Sequence, residues 1–520
     1  MRRGLGNFAS AILFGGQNPQ SAINELFSVF NFLFSLKLIF ILLTTGYWLL
    51  PTFSYSQSGW SEDRRLVFMQ GGGWYPKAAC CGDTIHLVWW QHYAHDEVFY
   101  KRSTDAGNTW EEDVRLTPED SISCVIPKIA VWGNKIHIIW YEVSAYHYAL
   151  CYRKSTDGGN TWSVVDTLRK EIDGGWGDCW LCVQDSNVYV VFIREDSKLV
   201  FMKSTNNGES WTSEQVVGDG TGNPHIEVLK TNSAYLVSCV RSSVPPIEIL
   251  FYRSVDMGTT WIDTQIVSDN DGRASQLPML ETDDSSGIHI TWYDYKYSSY
   301  SWTGDIFYRA SRDSGNTWEE IDSLTVMHRA VASDILAEGN NLHLVWEDDR
   351  NGFDNNFEIY YRMSTDLGRT WGPEERLTNA LYHSYCPSLA CGGGYLHLFW
   401  QDRREYGNNG PSAPIYYKRK DLSVGIRQEM SRVLNSSDLI LDCPTILRHN
   451  SLIRYDTGKN KDGEIILIDV TGRVVGVMPV HCVSGELVFG DFNKEVQDGV
   501  YFMMLRANNQ YVVKKVLVVR

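Results

Sequence analysis

The chain has 520 residues, enough for more than one domain, and 13% of them are aromatic, a fraction too high for a disordered protein. It carries 63 acidic against 47 basic residues, a formal charge of −16, which argues against nucleic acid or an anionic membrane surface as a partner. Because no cluster of residues has metal-ligand spacing, we expect no metal and no cofactor.

The first predicted element is a secretory signal. An apolar run follows Lys37, and the small residues Ser54 and Ser56 suit cleavage before Gln57. We therefore assign residues 1–56 to a signal peptide. Apolar residues already begin near Leu26, so an uncleaved signal anchor is the alternative.

Beyond the signal, one phrase of serine, aspartate, glycine and tryptophan recurs six times at intervals of about fifty residues, and such a period indicates a ring or stack of equivalent units. Each copy lies between two β-rich runs, which predicts a hairpin turn. The aspartate can accept backbone N–H bonds and the glycine supplies a positive φ, while the tryptophan buries its ring against the neighbouring unit. One copy has asparagine, so we interpret the six positions as structural turns and not as catalytic or calcium-binding aspartates: Asp105, Asp157, Asn206, Asp256, Asp313 and Asp366.

This phrase resembles the Asp box, or bacterial neuraminidase repeat, of sialidases and other β-propellers. The copies are 103–110, 155–162, 204–211, 254–261, 311–318 and 364–371, and all six keep the serine, glycine and tryptophan. The resemblance implies an all-β propeller whose boxes lie away from the active site.

The apolar strand that precedes each of the six boxes occurs a seventh time near the end of the repeat. This seventh unit lacks both a box and an outer strand. The segment Trp60 to Leu66 reads like Trp110 to Leu116, which follows the first box. An N-terminal strand that completes the last blade closes the ring and removes exposed sheet edges. We therefore predict a seven-bladed propeller over residues 57–425, with six blades as the alternative.

Binding residues concentrate on long loops, and in this chain those loops join strands 2 and 3 or lead into the next blade. An acid follows the strand-end tryptophan by two residues in several blades, and a base follows two residues later. Repeated pairs of this kind can bind a polar ligand, but they can equally tie each loop to its own blade. The candidate ligand-binding residues are Arg194, Arg241, Arg273, Arg329, Arg350, Arg403, Asp294, Asp348, Asp402, Tyr385 and Trp302.

The sialidase resemblance implies three arginines that grip a carboxylate, a tyrosine nucleophile supported by a glutamate, and an aspartic acid. The chain lacks the Arg-Ile-Pro signature of that family, and its nearest counterpart, Arg65-Leu66-Val67, lies in the predicted closing strand. We therefore expect a glycan- or protein-binding propeller without established catalysis, monomeric as a propeller. An exo-sialidase-type glycoside hydrolase is the alternative, and no catalytic residue is assigned.

Eleven cysteines leave at least one without an intramolecular partner. Export would permit disulfides. Strand geometry would point Cys179 and Cys182 to opposite faces, so we interpret them, and the other cysteines near the inner strands, as buried thiols.

The repeat stops near residue 425. A polar linker, 426–442, precedes a segment of alternating strands, 443–520, that predicts a small β-sandwich. Its pieces Asp469 to Val475, Asp498 to Phe502 and Lys514 to Arg520 resemble the C-terminal sorting domain of the type IX secretion system. The resemblance implies a bacterial protein that the outer-membrane machinery of a Gram-negative cell secretes or displays at its surface. An ordinary accessory sandwich is the alternative.

Overall fold

The structure, a computed structural model, describes residues 59–518 apart from 69–71, 93–94, 145–147, 171–177, 221, 230–232, 242–246, 299–302, 327–328, 351–355, 408–412, 423–438, 444–445, 449–450, 458–462, 470–472, 482–483, 490–495, 497–498 and 508–509. The expected signal peptide, 1–56, lies outside these residues. Gly59–Arg520 forms one compact unit. Within the described ranges, no helix has the length and apolar character needed to cross a membrane.

The first part of the unit consists of seven four-stranded antiparallel sheets. Three of them take consecutive strands from the N-terminal side: β2 (Trp74–Cys81), β3 (Thr84–His92), β4 (Asp96–Ser103) and β5 (Val114–Arg115); β6 (Ser123–Trp132), β7 (Lys135–Val143), β8 (Tyr148–Ser155) and β9 (Asp166–Arg169); β10 (Cys179–Gln184), β11 (Asn187–Ile193), β12 (Lys198–Ser204) and β13 (Gln215–Asp219).

Three further sheets follow in the same way: β14 (Gly222–Val228), β15 (Ala234–Arg241), β16 (Ile247–Ser254) and β17 (Ile262–Ile266); β18 (Ser275–Thr282), β19 (Ile288–Asp294), β20 (Asp305–Ser311) and β21 (Asp322–Ser323); β22 (Ala330–Glu338), β23 (Asn341–Asp348), β24 (Glu358–Ser364) and β25 (Glu375–Arg376). The last sheet contains β26 (Ser384–Gly392), β27 (Tyr395–Asp402), β28 (Ile415–Asp421) and, from the N-terminus, β1 (Arg64–Arg65).

The sheets follow one another in a closed cycle. The first strand of each sheet contacts the first strand of the next sheet, and β26 contacts β2. The second strands are nearly continuous apolar runs because both of their faces are covered, and five of them end in a fully buried tryptophan: Trp89, Trp140, Trp292, Trp346 and Trp400. Antiparallel sheets arranged in this way form a β-propeller.

The N-terminal strand closes the cycle. Arg64 pairs with Tyr417 and Arg65 with Tyr416, and Trp60 forms a bridge with Lys420. This is the pairing that the sequence predicts for Trp60 to Leu66. The last sheet thus receives its fourth strand from the N-terminal side of the propeller. Hydrogen bonds between strands that are distant in sequence therefore close the ring.

The six repeated turns have one hydrogen-bond pattern. In the first, the Asp105 carboxylate accepts bonds from the Thr109 N–H at 2.8 Å and from the Ser103 hydroxyl at 2.9 Å. In the third, Asn206 accepts the equivalent bonds and donates its amide N–H to the Ser210 hydroxyl at 2.8 Å. The turn glycines have φ between 74° and 90°. These bonds need an acceptor oxygen and no charge, which explains the tolerance of asparagine.

Each turn also fastens its sheet to the preceding one. The Trp211 ring meets the Tyr152 ring edge-on at 5.1 Å, and Gly208 leaves the space that the Tyr152 hydroxyl occupies. Trp60, which belongs to no turn, packs on Tyr361 in the same way at 5.4 Å. The closing segment therefore supplies the tryptophan that the last sheet lacks.

The C-terminal part consists of two sheets. One contains β29 (Ile440–Asp442), β31 (Leu452–Asp456) and β34 (Ser484–Val488); the other contains β30 (Ile446–Leu447), β32 (Gly463–Asp469), β33 (Val474–Val480), β35 (Gly499–Ala507) and β36 (Gln510–Val518). Residues of both sheets, such as Ile453 and Met503, share one core. Strand β29 lies inside the range 426–442 that the sequence analysis assigns to a linker.

Among the described side chains of the seven sheets, eight cysteines are free thiols: Cys80, Cys81, Cys124, Cys151, Cys179, Cys182, Cys386 and Cys391. Cys179 packs in the core between the second and third sheets and Cys182 in the core between the third and fourth, so their side chains do point to opposite faces of β10. Cys81 departs from the interpretation as a buried thiol: it is exposed, because it is the last residue of β2, next to the turn.

Candidate functional site

A repeated irregularity shapes one end of the inner strands. Six of the seven inner strands contain a residue with φ between 38° and 55°, at a point where the pairing with the second strand shifts register. These residues are Tyr75, Ile126, Asn223, Leu277, Ala332 and Cys386, and proline follows all of them except Ala332. Positive φ costs about 1–3 kcal/mol for such residues, and β-bulges commonly re-aim side chains beside functional sites.

Five of these six bulge residues line a cavity of about 160 Å³, which we call the mouth cavity. It lies at the N-terminal ends of the inner strands. Glu347, near the end of β23, also lines it, which places the cavity on the face opposite the repeated turns. That is the face where the sequence predicts the long loops. An engineered cavity of similar size admits one benzene molecule, so the mouth cavity suits a single six-membered ring.

A second cavity of about 110 Å³, here called the floor, continues below the mouth cavity. Lys77, Lys128, Trp180 and His225 line both. Each of these residues comes from a different sheet, so the site exists only when the ring has closed.

The Trp180 ring contacts two basic side chains of the site, Lys128 and His225. The Lys128 ammonium lies 4.8 Å from the ring centre and forms an ion pair with Asp178 at 3.1 Å. The His225 ring lies 4.0 Å away, and its Nδ1 accepts the Leu280 N–H at 3.0 Å. Burial lowers the pKa of His225 well below its ordinary value, so this histidine is neutral and acts as an acceptor.

The carboxyl groups of the site are held toward their protonated forms. Burial raises the pKa of Glu227 to about 8. Burial, reinforced by repulsion from Glu227, holds the pKa of Glu281 well above its ordinary value. Burial also raises the pKa of Glu347 to about 7, although its carboxylate accepts the Cys386 N–H at 2.7 Å. The floor, which Glu227 and Glu281 line, therefore holds carboxyl groups whose protonated form is favoured more than in a free glutamic acid.

An aromatic cluster stands on the rim. Trp74 stacks on Trp90 at 5.5 Å, and Tyr75, 48% exposed, stacks on the same ring at 6.5 Å. Arg403 lies 5.3 Å from the Trp74 ring centre and donates to the Tyr385 hydroxyl at 2.8 Å. Of the candidates from the sequence, Arg403 and Tyr385 thus lie together beside the mouth cavity.

The repeated acid–base pairs tie loops to their own sheets. Asp402 accepts the Trp400 indole N–H at 2.8 Å and the Arg404 guanidinium at 2.9 Å. Asp348 makes the equivalent contacts with Trp346 and Arg350. In the fifth sheet Asp294 likewise accepts the Trp292 indole N–H, at 3.2 Å, but it binds the backbone N–H of Lys296 and not the ammonium, which pairs with Asp269.

The remaining arginine candidates lie apart from the cavity. Arg194 forms a two-bond pair with Asp196 in its own loop, and Arg329 pairs with Asp349 at 3.3 Å. Arg273 is exposed. The side chain of Arg241 and the whole of Trp302 lie outside the residues that can be described.

Sequence reasoning missed the bulge residues and the floor. A signal for the bulges exists, because proline recurs at one position of successive units: Pro76, Pro127, Pro224, Pro278 and Pro387. The floor has no such signal, since each unit contributes a different residue type.

No family model and no curated protein sequence matches the chain. Among solved structures, the chain is similar to a protein of unknown function from Dyadobacter fermentans (13% identity, TM-score 0.46, 70% of this chain and 99% of that one). It is also similar to an α-L-arabinofuranosidase of Fusarium graminearum (11%, 0.45, 70% and 99%) and to the Hadza microbial sialidase Hz136 (13%, 0.42, 68% and 66%). Likenesses at this level do not indicate an activity.

Proposed function

We propose that the seven sheets are the blades of one closed seven-bladed, Asp-box propeller, and that this propeller binds the end of a glycan chain in its mouth cavity without cleaving it. The observation that supports binding is a cavity of single-ring size with an exposed aromatic side chain, Tyr75, at its edge. A sugar ring has an apolar face that can stack on the Tyr75 side chain. Its hydroxyls can form hydrogen bonds with the carboxyl and amino groups that line the two cavities.

The lining of the cavity favours binding over hydrolysis. Tyr75 and Glu347 both line the mouth, which is the pair that a tyrosine nucleophile needs. In the described part of the lining, however, the cations are Lys77 and Lys128 and there is no arginine. The Cys386 thiol, burial and the Glu347 carboxyl raise the pKa of Tyr75 above its ordinary value, so this phenol stays protonated.

Binding can be tested on a glycan array and then by calorimetry with the best ligand. We expect Tyr75→Ala to weaken binding about ten-fold, or about 1.4 kcal/mol, because it removes the stacking face. Tyr297→Ala is the matched control, since Tyr297 is 55% exposed, stacks on Phe307 and does not line the cavity. Equal loss in both variants, or none in either, contradicts the proposal.

Catalysis is tested separately with a fluorogenic sialoside and the purified chain. We expect no turnover. Turnover that Arg350→Ala or Arg273→Ala abolishes would instead establish the exo-sialidase alternative and place its site outside the mouth cavity.

For the rest of the chain we propose a signal peptide at 1–56, a propeller at 57–425, a linker that ends before β29, and a β-sandwich sorting domain that includes β29 and directs the protein through type IX secretion. The motifs after residue 469 support this assignment. Expression of the chain with and without residues 443–520 in a cell that has this system tests it. Retention of the shortened chain inside the outer membrane is expected, and equal export of both chains contradicts it.

A further inference from the structure

Lys77 differs from the other cation of the cavity in having no polar partner. Lys128 is paired with Asp178. Within the described residues the Lys77 ammonium makes no hydrogen bond and no ion pair, and it lies over the face of Trp180, 5.3 Å from the ring centre. An amine left unpartnered beside an open cavity is available to a ligand.

The surroundings of Lys77 favour the free amine. Burial lowers its pKa, the ammonium of Lys128 acts in the same direction, and Asp334 and Asp178 oppose them. Burial also raises the pKa of Asp334 itself. A desolvated lysine next to another cation is the standard arrangement of an amine nucleophile.

The ligand that suits this arrangement is uncharged. An anion would stabilise the ammonium of Lys77 and so disfavour the free amine. A cation would be repelled by the ammonium group of Lys128. A carbonyl compound needs neither charge: it needs a free amine and a nearby acid. The floor supplies the acids in Glu227 and Glu281, which line the same cavity as Lys77.

We propose that Lys77 is a reactive amine that forms a reversible imine with an aldehyde or ketone bound in the mouth cavity. The Lys77 nitrogen lone pair attacks the carbonyl carbon, the carbonyl oxygen takes up a proton and the nitrogen releases one, giving a carbinolamine. A carboxylic acid of the floor then protonates its hydroxyl, which leaves as water, and the nitrogen forms the C=N bond and returns its remaining proton to the carboxylate. One amine and one carbonyl give one imine and one water, with no oxidant or reductant. The aldehyde of an opened sugar end belongs to this ligand class, but the inference depends on Lys77 and not on glycan binding.

The test is reductive trapping on the purified full chain. Benzaldehyde, a single-ring aldehyde, is added with cyanoborohydride at pH 7, and the labelled lysines are identified by peptide mass mapping. We expect about ten-fold more label on Lys77 than on the exposed Lys170 of the same chain, because the cavity holds the probe beside a free amine. Label on Lys77 at or below the level of Lys170 overturns the proposal.

Two variants and one competitor complete the test. Lys77→Arg keeps a long basic side chain and cannot form an imine, so it should lose the label while its thermal unfolding stays close to that of the parent. Asp334→Asn removes a carboxyl that supports the ammonium, so the pH midpoint of Lys77 labelling should fall, and a rise overturns the proposal. Strong protection of Lys77 by millimolar acetate would show an anion site and also overturn it. Trapping without glycan binding contradicts only the proposed function, and glycan binding without trapping contradicts only this inference.

Discussion

Replacement of Asp63 by alanine should weaken the closure of the ring. The Asp63 carboxylate joins two residues of the last sheet, since one oxygen lies 2.7 Å from the Lys418 ammonium and the other 2.8 Å from the Arg404 guanidinium. The side chain of Lys418 is only 3% exposed. Lys418 also donates to the Leu377 carbonyl oxygen at 2.7 Å.

The expected cost is about 2–3 kcal/mol in the free energy of unfolding. A hydrogen bond to a charged group contributes about 1.5–3 kcal/mol, and the loss of one partner leaves the buried Lys418 charge undercompensated. The partial exposure of Asp63, at 22%, keeps the value below that of a fully buried pair. Arg404 loses less, because it keeps Asp402.

The assay is urea unfolding followed by tryptophan fluorescence, in which Trp60 and Trp400 report near the seam. Glu62→Ala is the control, because Glu62 is the exposed neighbouring acid. The double variant Asp63→Ala with Lys418→Met should recover part of the loss, since it removes the unpaired charge together with its partner. If Asp63→Ala unfolds at the same urea concentration as Glu62→Ala, or if the two losses simply add, the closing pair is not what secures the ring.

The repeated turns give further predictions. Asp105→Asn should change the free energy of unfolding at pH 7 by less than about 0.5 kcal/mol, because Asn206 already serves in one turn, whereas Asp105→Ala should cost about 1–2 kcal/mol through its lost hydrogen bonds. Hydrogen bonds from Thr109 lower the pKa of Asp105 to about 2. The carboxylate therefore contributes stability above about pH 4 that is lost as the pH falls through about 2. Acid should destabilise the parent more than the Asp105→Asn variant, and an identical pH dependence of unfolding would contradict this. Gly208→Ala should cost about 2–4 kcal/mol, because φ is +74° and the new methyl would lie 1.9 Å from the Tyr152 hydroxyl. Gly339→Ala, with φ +57° and open space around it, should cost only about 1 kcal/mol; equal melting temperatures for the two variants would refute the steric argument.

The propeller architecture could be predicted from the sequence because it depends on short motifs that recur along the chain. The turn at Asp105 needs an acceptor, a glycine and a tryptophan within eight residues, and these bonds form wherever that phrase occurs. The likeness of Trp60 to Trp110 also predicted the pairing of β1 with β28, since a strand that completes a repeating unit must carry the residues of that unit.

The site could not be read in this way. The site is lined by residues on the inner strands of four sheets: Lys77, Lys128, Trp180, His225 and Glu227. These residues do not follow a repeat, so no pattern along the chain connects them. The arginine candidates stood out because they follow a pattern, and the structure uses the patterned pairs to hold loops, as between Asp402 and Arg404. Local sequence therefore determines the turns, the strands and the closing segment of this protein. Only closure of the ring decides which side chains meet at its centre, because that meeting depends on contacts between strands from opposite ends of the propeller, such as β2 and β26.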